Sequence, residues 1–184
     1  AGGRMHDGRL LFPPDLCEAA LTGLRRDLTL AARDPARDLS LAAGAVHLGS
    51  GGAAPLVLDI DTGRFRPSTL ADLYDAARLV DRLAHVQFFS RSLVARDVEG
   101  DRALDVNTCY AALAGTSKHV MVSAAHPDHV ADIAAICHAV AGGPEAFAAR
   151  PFLSLNINHV APPMRFASEA AEVLVAAARA GIPC

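Results

Sequence analysis

From residue 67 onward the apolar positions recur in two alternating rhythms. Leu70, Leu73, Ala77, Val80 and Leu83 share one face at helical spacing, and Thr69 with Asp72 forms a capping box ahead of them. Residues 86–89 then read as a short apolar strand, and residues 104–114 as a helix ended by Gly115. A second strand spans 119–123. Pro127 starts a helix with Val130, Ile133, Ala134, Cys137 and Val140 on one face, stopped by Gly142-Gly143. Residues 152–157 predict a third strand, and 166–180 a helix closed by Gly181 and Pro183. Near-continuous apolar strands alternating with helices predict an α/β fold whose parallel sheet is buried on both faces. Three such units are counted, with a further strand beginning at Ile182.

The first third follows a different pattern. Pro13-Pro14-Asp15 opens a short helix that ends near Gly23, because proline suits a first turn and Asp15 complements its positive end. Residues 27–31, 39–42, 45–48 and 56–60 are short β-runs, and Asp61-Thr62-Gly63 predicts a hairpin turn before Arg64-Phe65-Arg66. The expected organisation is an N-terminal helix and β-rich module over 1–66, followed by the strand–helix region over 67–184. Three parallel strands close no barrel, and a doubly wound domain usually has five or six. The pattern therefore predicts either a fragment or a fold completed by another chain.

Composition narrows the function classes. With 184 residues and 52% hydrophobic content there is ample material for a core. The 17 basic and 20 acidic residues are spread without blocks and give a net charge of −3, so neither nucleic acid nor an anionic membrane is an expected partner. Cys17, Cys109, Cys137 and Cys184 stand far apart and read as reduced thiols, which predicts a cytoplasmic protein. No apolar run reaches the roughly 18 residues of a membrane span.

Several motifs can be weighed against ordinary structural roles. Gly49, Gly51 and Ala54 fit the spacing of a dinucleotide-binding loop, but Pro55 and the β-run Leu56-Val57-Leu58 follow where a helix is required. These glycines are expected to serve backbone turning through positive φ. His126, His129 and His138 suggest zinc, yet they straddle more than two helical turns and are expected to face solvent. Ser90, Ser123 and Cys109 lack a nucleophile elbow and a legible base. Asp59 and Asp61 read as the polar face of a strand entering its turn.

Parallel α/β folds bind ligands at the C-terminal ends of their strands. The residues expected there are Phe89, Ser90 and Arg91 after the first strand, Ser123 after the second, and Asn156, Asn158 and His159 after the third. For each of them, capping a loop and contacting a ligand are both open. Asn156 and Asn158, two apart, can project to the same side.

The stretch Gly49-Ser50-Gly51-Gly52-Ala53-Ala54-Pro55 with Val57-Leu58-Asp59, then Arg66-Pro67-Ser68-Thr69-Leu70-Ala71-Asp72 and Phe88-Phe89-Ser90-Arg91-Ser92 with Ala95-Arg96-Asp97, resembles the trimethylamine methyltransferase family. The likeness continues through Asp105-Val106-Asn107-Thr108, Ala114-Gly115-Thr116-Ser117-Lys118-His119 and Pro162-Pro163-Met164-Arg165-Phe166-Ala167, covering about residue 12 to the end. The resemblance implies the N-terminal part of a TIM (β/α)8 barrel, about three βα units preceded by the β-rich module. It implies methyl transfer from a tertiary or quaternary methylated amine, trimethylamine or a glycine-betaine-like compound, to the cobalt of a corrinoid (cobalamin) carried by a partner protein. No cofactor is then bound directly, and no metal site is expected.

A quaternary ammonium has no N–H donor, so aromatic faces and oxygen atoms must hold it. Phe89, Tyr110 and Phe152 are aromatics available for this, with core packing the more usual role for each, and Asn156 and Asn158 can orient a substrate carboxylate or a solvent molecule. The catalytic residue is unassigned. The competing expectations are a non-catalytic binding module of the same family and a metal-dependent hydrolase-like barrel. An open sheet further predicts a homo-oligomer.

Overall fold

The capping box at Thr69 forms as its sequence spacing requires. The Thr69 hydroxyl accepts from the Asp72 backbone N–H at 3.2 Å, and the Asp72 carboxylate accepts from the Thr69 N–H at 2.8 Å. The structure, a computed structural model, describes residues 2–42, 44–158, 160–162 and 164–184. In chain order the elements are β1 (Arg4–His6), β2 (Arg9–Leu11), α1 (Pro14–Thr22), β3 (Thr29–Leu30), β4 (Leu39–Ser40), β5 (Leu56–Leu58), β6 (Phe65–Pro67) and α2 (Leu70–Arg82). They continue with β7 (Phe88–Ser90), α3 (Asp101–Gly115), β8 (His119–Val122), α4 (His129–Ala141), α5 (Pro144–Ala149), β9 (Leu153–Leu155), β10 (Val160–Ala161), β11 (Arg165–Phe166) and α6 (Ser168–Arg179). The fold is mixed α/β.

Strands β7, β8 and β9 form the expected parallel sheet, with Phe89 opposite Val120 and Val120 opposite Leu153. Alternation along the strands gives the sheet two unlike faces. Phe89, Val120, Val122, Leu153 and Leu155 are buried in one core with Leu73 and Ala77 of α2, Leu113 of α3, Ile133 of α4, Phe147 of α5 and Val173 of α6. The other face carries the polar Ser90, His119 and Ser154 together with Phe88 and Met121.

Residues 48–54 correct one expectation. They run parallel to β7, bridging Gly49 to Phe88 and Ala54 to Leu93, so they belong beside the sheet. The Gln87 N–H donates to the Leu48 carbonyl at 2.7 Å and the Ser50 N–H to the Phe88 carbonyl at 3.3 Å. Gly49, Gly51 and Gly52 do not adopt positive φ. Gly49 is needed for a different reason: a Cβ there would collide with the Phe88 ring. At the other edge the Leu155 N–H donates to the Pro183 carbonyl at 2.8 Å, where a further strand was expected from Ile182.

The β5–β6 hairpin follows this edge segment. Its turn is closed by Asp59, which accepts from the Thr62 N–H at 2.9 Å and hydroxyl at 2.8 Å, and Gly63 takes φ +64°. Arg66 grips Asp72 through two bonds of 2.7 and 2.8 Å, and the guanidinium holds that carboxyl well below the usual carboxylate range. Ser68, fully buried, shares its hydroxyl between the carbonyls of Val94 at 2.6 Å and Ala54 at 3.2 Å.

The N-terminal end of the sheet is tied by polar bonds. Lys118 Nζ donates to the carbonyls of Val80, Leu83 and Val86 at 2.6, 2.7 and 2.6 Å, closing the C-terminal end of α2. Asp81 accepts from the Ser117 N–H at 2.8 Å, the Thr116 hydroxyl at 2.9 Å and Arg37 at 2.7 Å. His119 is fully buried between the Ala31 carbonyl, 2.7 Å from Nδ1, and Ser154 Oγ, 2.9 Å from Nε2. Thus the Gly115-to-His119 motif joins helix, strand and the segment around Ala31.

By chain contacts the molecule divides into a small unit, Ala1–Leu28 with Ser40–Ala45, and a larger one, Thr29–Leu39 with Val46–Cys184. In the small unit, β1 and β2 pair His6 with Arg9 around Asp7-Gly8, both at positive φ, and α1 follows. No described residue of that unit is buried. Strands β3 and β4 pair where the chain passes between the units.

Candidate functional site

The loops leaving β8 and β9 meet the first turns of α6. Between them lies a hollow of about 300 Å³, lined by Ser123, Ala124 and Ala125, by Asn156, Ile157 and Asn158, and by residues of α6 including Glu169 and Val173. Its position follows from strand direction: the Asn156 N–H extends the ladder by donating to the Val122 carbonyl at 2.7 Å, and Asn158 follows two residues later on the same side. Among the described residues no partner is recorded for the side chains of Ser123, Asn156, Asn158 or Glu169. The site therefore combines a hydroxyl, two amides and a carboxylate with walls of alanine, isoleucine and valine. Such a set can accept from a donor, solvate a cation and enclose methyl groups.

Of the residues expected at strand ends, Ser123, Asn156 and Asn158 come together here. The others lie elsewhere. Phe89 is fully buried on the helix-facing side of β7. Ser90, on the opposite face, has its main chain fixed by Ser50, whose hydroxyl accepts from the Ser90 N–H at 2.9 Å and donates to its carbonyl at 2.7 Å. Arg91 is half-buried, its N–H on the Met121 carbonyl at 2.9 Å. Tyr110 is 63% exposed in a separate groove of about 320 Å³ between α2 and α3, with Tyr74 and Leu70. Phe152 precedes β9 at the sheet's N-terminal end and meets Phe147 edge-on at 5.3 Å. His159 lies outside the described residues.

The histidines correct a second expectation. His126 is exposed and His138 packs on Phe147 at 5.8 Å, but His129 is buried. Its Nδ1 lies 2.7 Å from the carboxylate of Asp105, which is only 3% exposed and also accepts from the Ala125 N–H at 2.7 Å. The missed signal was Asp105 itself, an acid set between Leu104 and Val106 in an apolar helix. Among the described residues no group of three or more His, Cys, Asp or Glu side chains converges as a metal site. Cys109 and Cys137 are buried neighbours; the Cys137 thiol and then burial push the Cys109 thiol upward, which keeps it protonated and inert.

In parallel α/β sheets the strand ends where this hollow lies are the usual place for ligands. Comparison with known sequences is more specific. The profile of the family described as trimethylamine methyltransferase (MTTB) matches residues 1–184, and the chain belongs to this methyltransferase family. It is 29% identical to trimethylamine methyltransferase MttB of Desulfitobacterium hafniense over 94% of this chain and 34% of that protein. It is 30% identical to the Methanosarcina barkeri protein of the same name over 76% of this chain and 29% of that protein. With the Methanosarcina thermophila protein it shares 32% identity over 61% of this chain and 23% of that protein. The chain thus spans about a third or less of the length of these curated relatives. Among the described residues no helix is long and apolar enough to cross a membrane.

Proposed function

We propose that this chain is the N-terminal part of a (β/α)8-barrel methyltransferase that moves a methyl group from a tertiary or quaternary methylated amine to the cobalt of a corrinoid protein. The observation that carries the reading is the convergence of Ser123, Asn156 and Asn158 on one hollow in a chain whose whole length matches the family. The parallel sheet supports the barrel, extended at one edge by residues 48–54 and at the other by Pro183. Its second face is more polar than a usual barrel interior, since Ser90, His119 and Ser154 stand where barrel cores usually place branched apolar side chains.

The hollow fits a methylated ammonium. Amide and hydroxyl oxygens with the Glu169 carboxylate complement the positive charge of a quaternary ammonium, which has no N–H, and can equally accept the single N–H of a protonated tertiary amine, while Ile157 and Val173 contact methyl groups. The partner's corrinoid supplies the nucleophile that takes the methyl carbon. As the C–N bond breaks its electron pair stays on nitrogen, and the positive charge on the amine is lost. The chain's task is to hold the amine with one methyl group presented outward and water excluded, which is catalysis by orientation. This accounts for a site without a nucleophile–base pair. The same reading makes the protein cytoplasmic and homo-oligomeric, the exposed Phe12, Leu21 and Leu24 favouring self-association.

The test uses the full-length protein with a reduced corrinoid protein and trimethylamine or glycine betaine, following methyl–cobalt absorbance. Asn156→Ala should weaken amine binding roughly tenfold, the loss of one polar contact of about 1.4 kcal/mol. Absence of transfer with every methylated amine would refute the proposal. Calorimetric binding without transfer would instead identify a binding module.

A further inference from the structure

The Asp105–His129 pair is not explained by core packing. A carboxyl group that is 3% exposed loses most of its hydration, a cost that apolar packing around it does not offset. What the pair fixes is the path of residues 123–128. Helix α4 receives no side-chain cap from its own Asp128, and within this turn the backbone bonds are His129 N–H to the His126 carbonyl at 3.1 Å and Val130 N–H to the Pro127 carbonyl at 3.2 Å. Asp105 reaches in from α3, takes the Ala125 N–H at 2.7 Å and His129 Nδ1 at 2.7 Å, and so pins both ends of the turn with one oxygen. Ala125 and Ser123 are themselves walls of the hollow facing Asn156 and Asn158.

We infer that Asp105 is a positioning residue: through the Ala125 amide it sets where Ser123 stands in the amine-binding hollow, with His129 holding the carboxylate in place. The inference rests on the proposed function for the identity of the ligand, but not for the anchoring of the loop. Asp105 does not itself line the hollow and acts on it only through the Ala125 amide. Removing it therefore alters affinity for the amine and leaves the outer surfaces unchanged. Asparagine retains one acceptor for the Ala125 N–H, whereas alanine retains none.

The experiment compares full-length wild type, Asp105→Asn and Asp105→Ala by amide hydrogen exchange and by steady-state methyl transfer from trimethylamine or glycine betaine. The expected result is at least tenfold faster exchange at Ala125 in Asp105→Ala. Its KM for the amine should rise about tenfold, with kcat at saturating amine and the KM for the corrinoid protein little changed, and Asp105→Asn should recover most of both effects. A folded Asp105→Ala protein with wild-type exchange at Ala125 and wild-type amine KM would overturn the inference, as would equal loss of kcat for both variants. If wild type transfers no methyl group, the proposed function fails, and exchange at Ala125 alone decides whether Asp105 anchors the loop.

Discussion

Lys118 lies in the turn between α3 and β8, and its surroundings predict a structural role. Its Nζ donates to three carbonyls at 2.6 to 2.7 Å, matching the three donors of an ammonium. Lys118→Met keeps the length of the stem and removes all three bonds. The Val80 and Leu83 carbonyls still accept from the N–H groups of Leu83 and Val86 at 3.2 Å. The Val86 carbonyl loses the side-chain bond that closes it. An unsatisfied buried carbonyl costs about 1–3 kcal/mol, and each charge-assisted bond contributes about 1.5–3 kcal/mol. Against this, methionine avoids the cost of desolvating the ammonium; burial and nearby Arg37 already pull the Lys118 pKa below the usual lysine range, with Asp81 opposing. The balance is a loss of about 2–4 kcal/mol. Urea and thermal melts of the full-length protein measure it, with amine affinity of the folded variant as the control. A Lys118→Met protein within about 0.5 kcal/mol of wild type, or one of normal stability that no longer binds amine, would refute the structural assignment.

Two further outcomes follow from particular contacts. A Cβ at Gly115 would stand 2.5 Å from Ala77 Cβ and 2.9 Å from the Tyr74 carbonyl oxygen, so Gly115→Ala must push α3 off α2. Overpacking of about 1–3 kcal/mol should outweigh the roughly 1 kcal/mol gained in helix propensity, and an unchanged or raised Tm would contradict this. His119 is buried, and burial pushes its pKa below the usual value near 6.5, the Ala31 carbonyl and Asp38 opposing. The unfolded chain then takes up a proton that the folded one refuses. Stability should be full above about pH 6.5 and decline as pH falls below it, and His119→Gln should flatten that part of the curve in urea melts.

Much of the candidate site was legible because strand ends are local features. The alternation around residues 153–158 puts Asn156 and Asn158 on one side of the chain, and the C-terminal-end rule puts Ser123 beside them. The aromatics were less legible. Whether Phe89 faces helices or the opposite side depends on the phase of a three-residue strand, and Tyr110 lies on a helix face that only packing against α2 defines. The β1–β2 hairpin carried a readable sign in Asp7-Gly8, a two-residue turn with both φ positive, but weak alternation in its arms hid it. The α5 helix, only six residues long, follows Gly143 with no periodicity to reveal it.

The sequence by itself determined α2, α3, α4 and α6, the capping box of α2, the parallel order of the strands and membership of a methyltransferase family. Those features are set by bonds and spacings within a few residues, as with Thr69 and Asp72. Tertiary structure alone decided that Gly49 yields to the Phe88 ring, that His129 turns inward to Asp105, and that His119 closes on Ala31, 88 residues away. Each depends on a partner distant in the chain. Burial and pairing exist only once those partners have been brought together, so no local pattern records them.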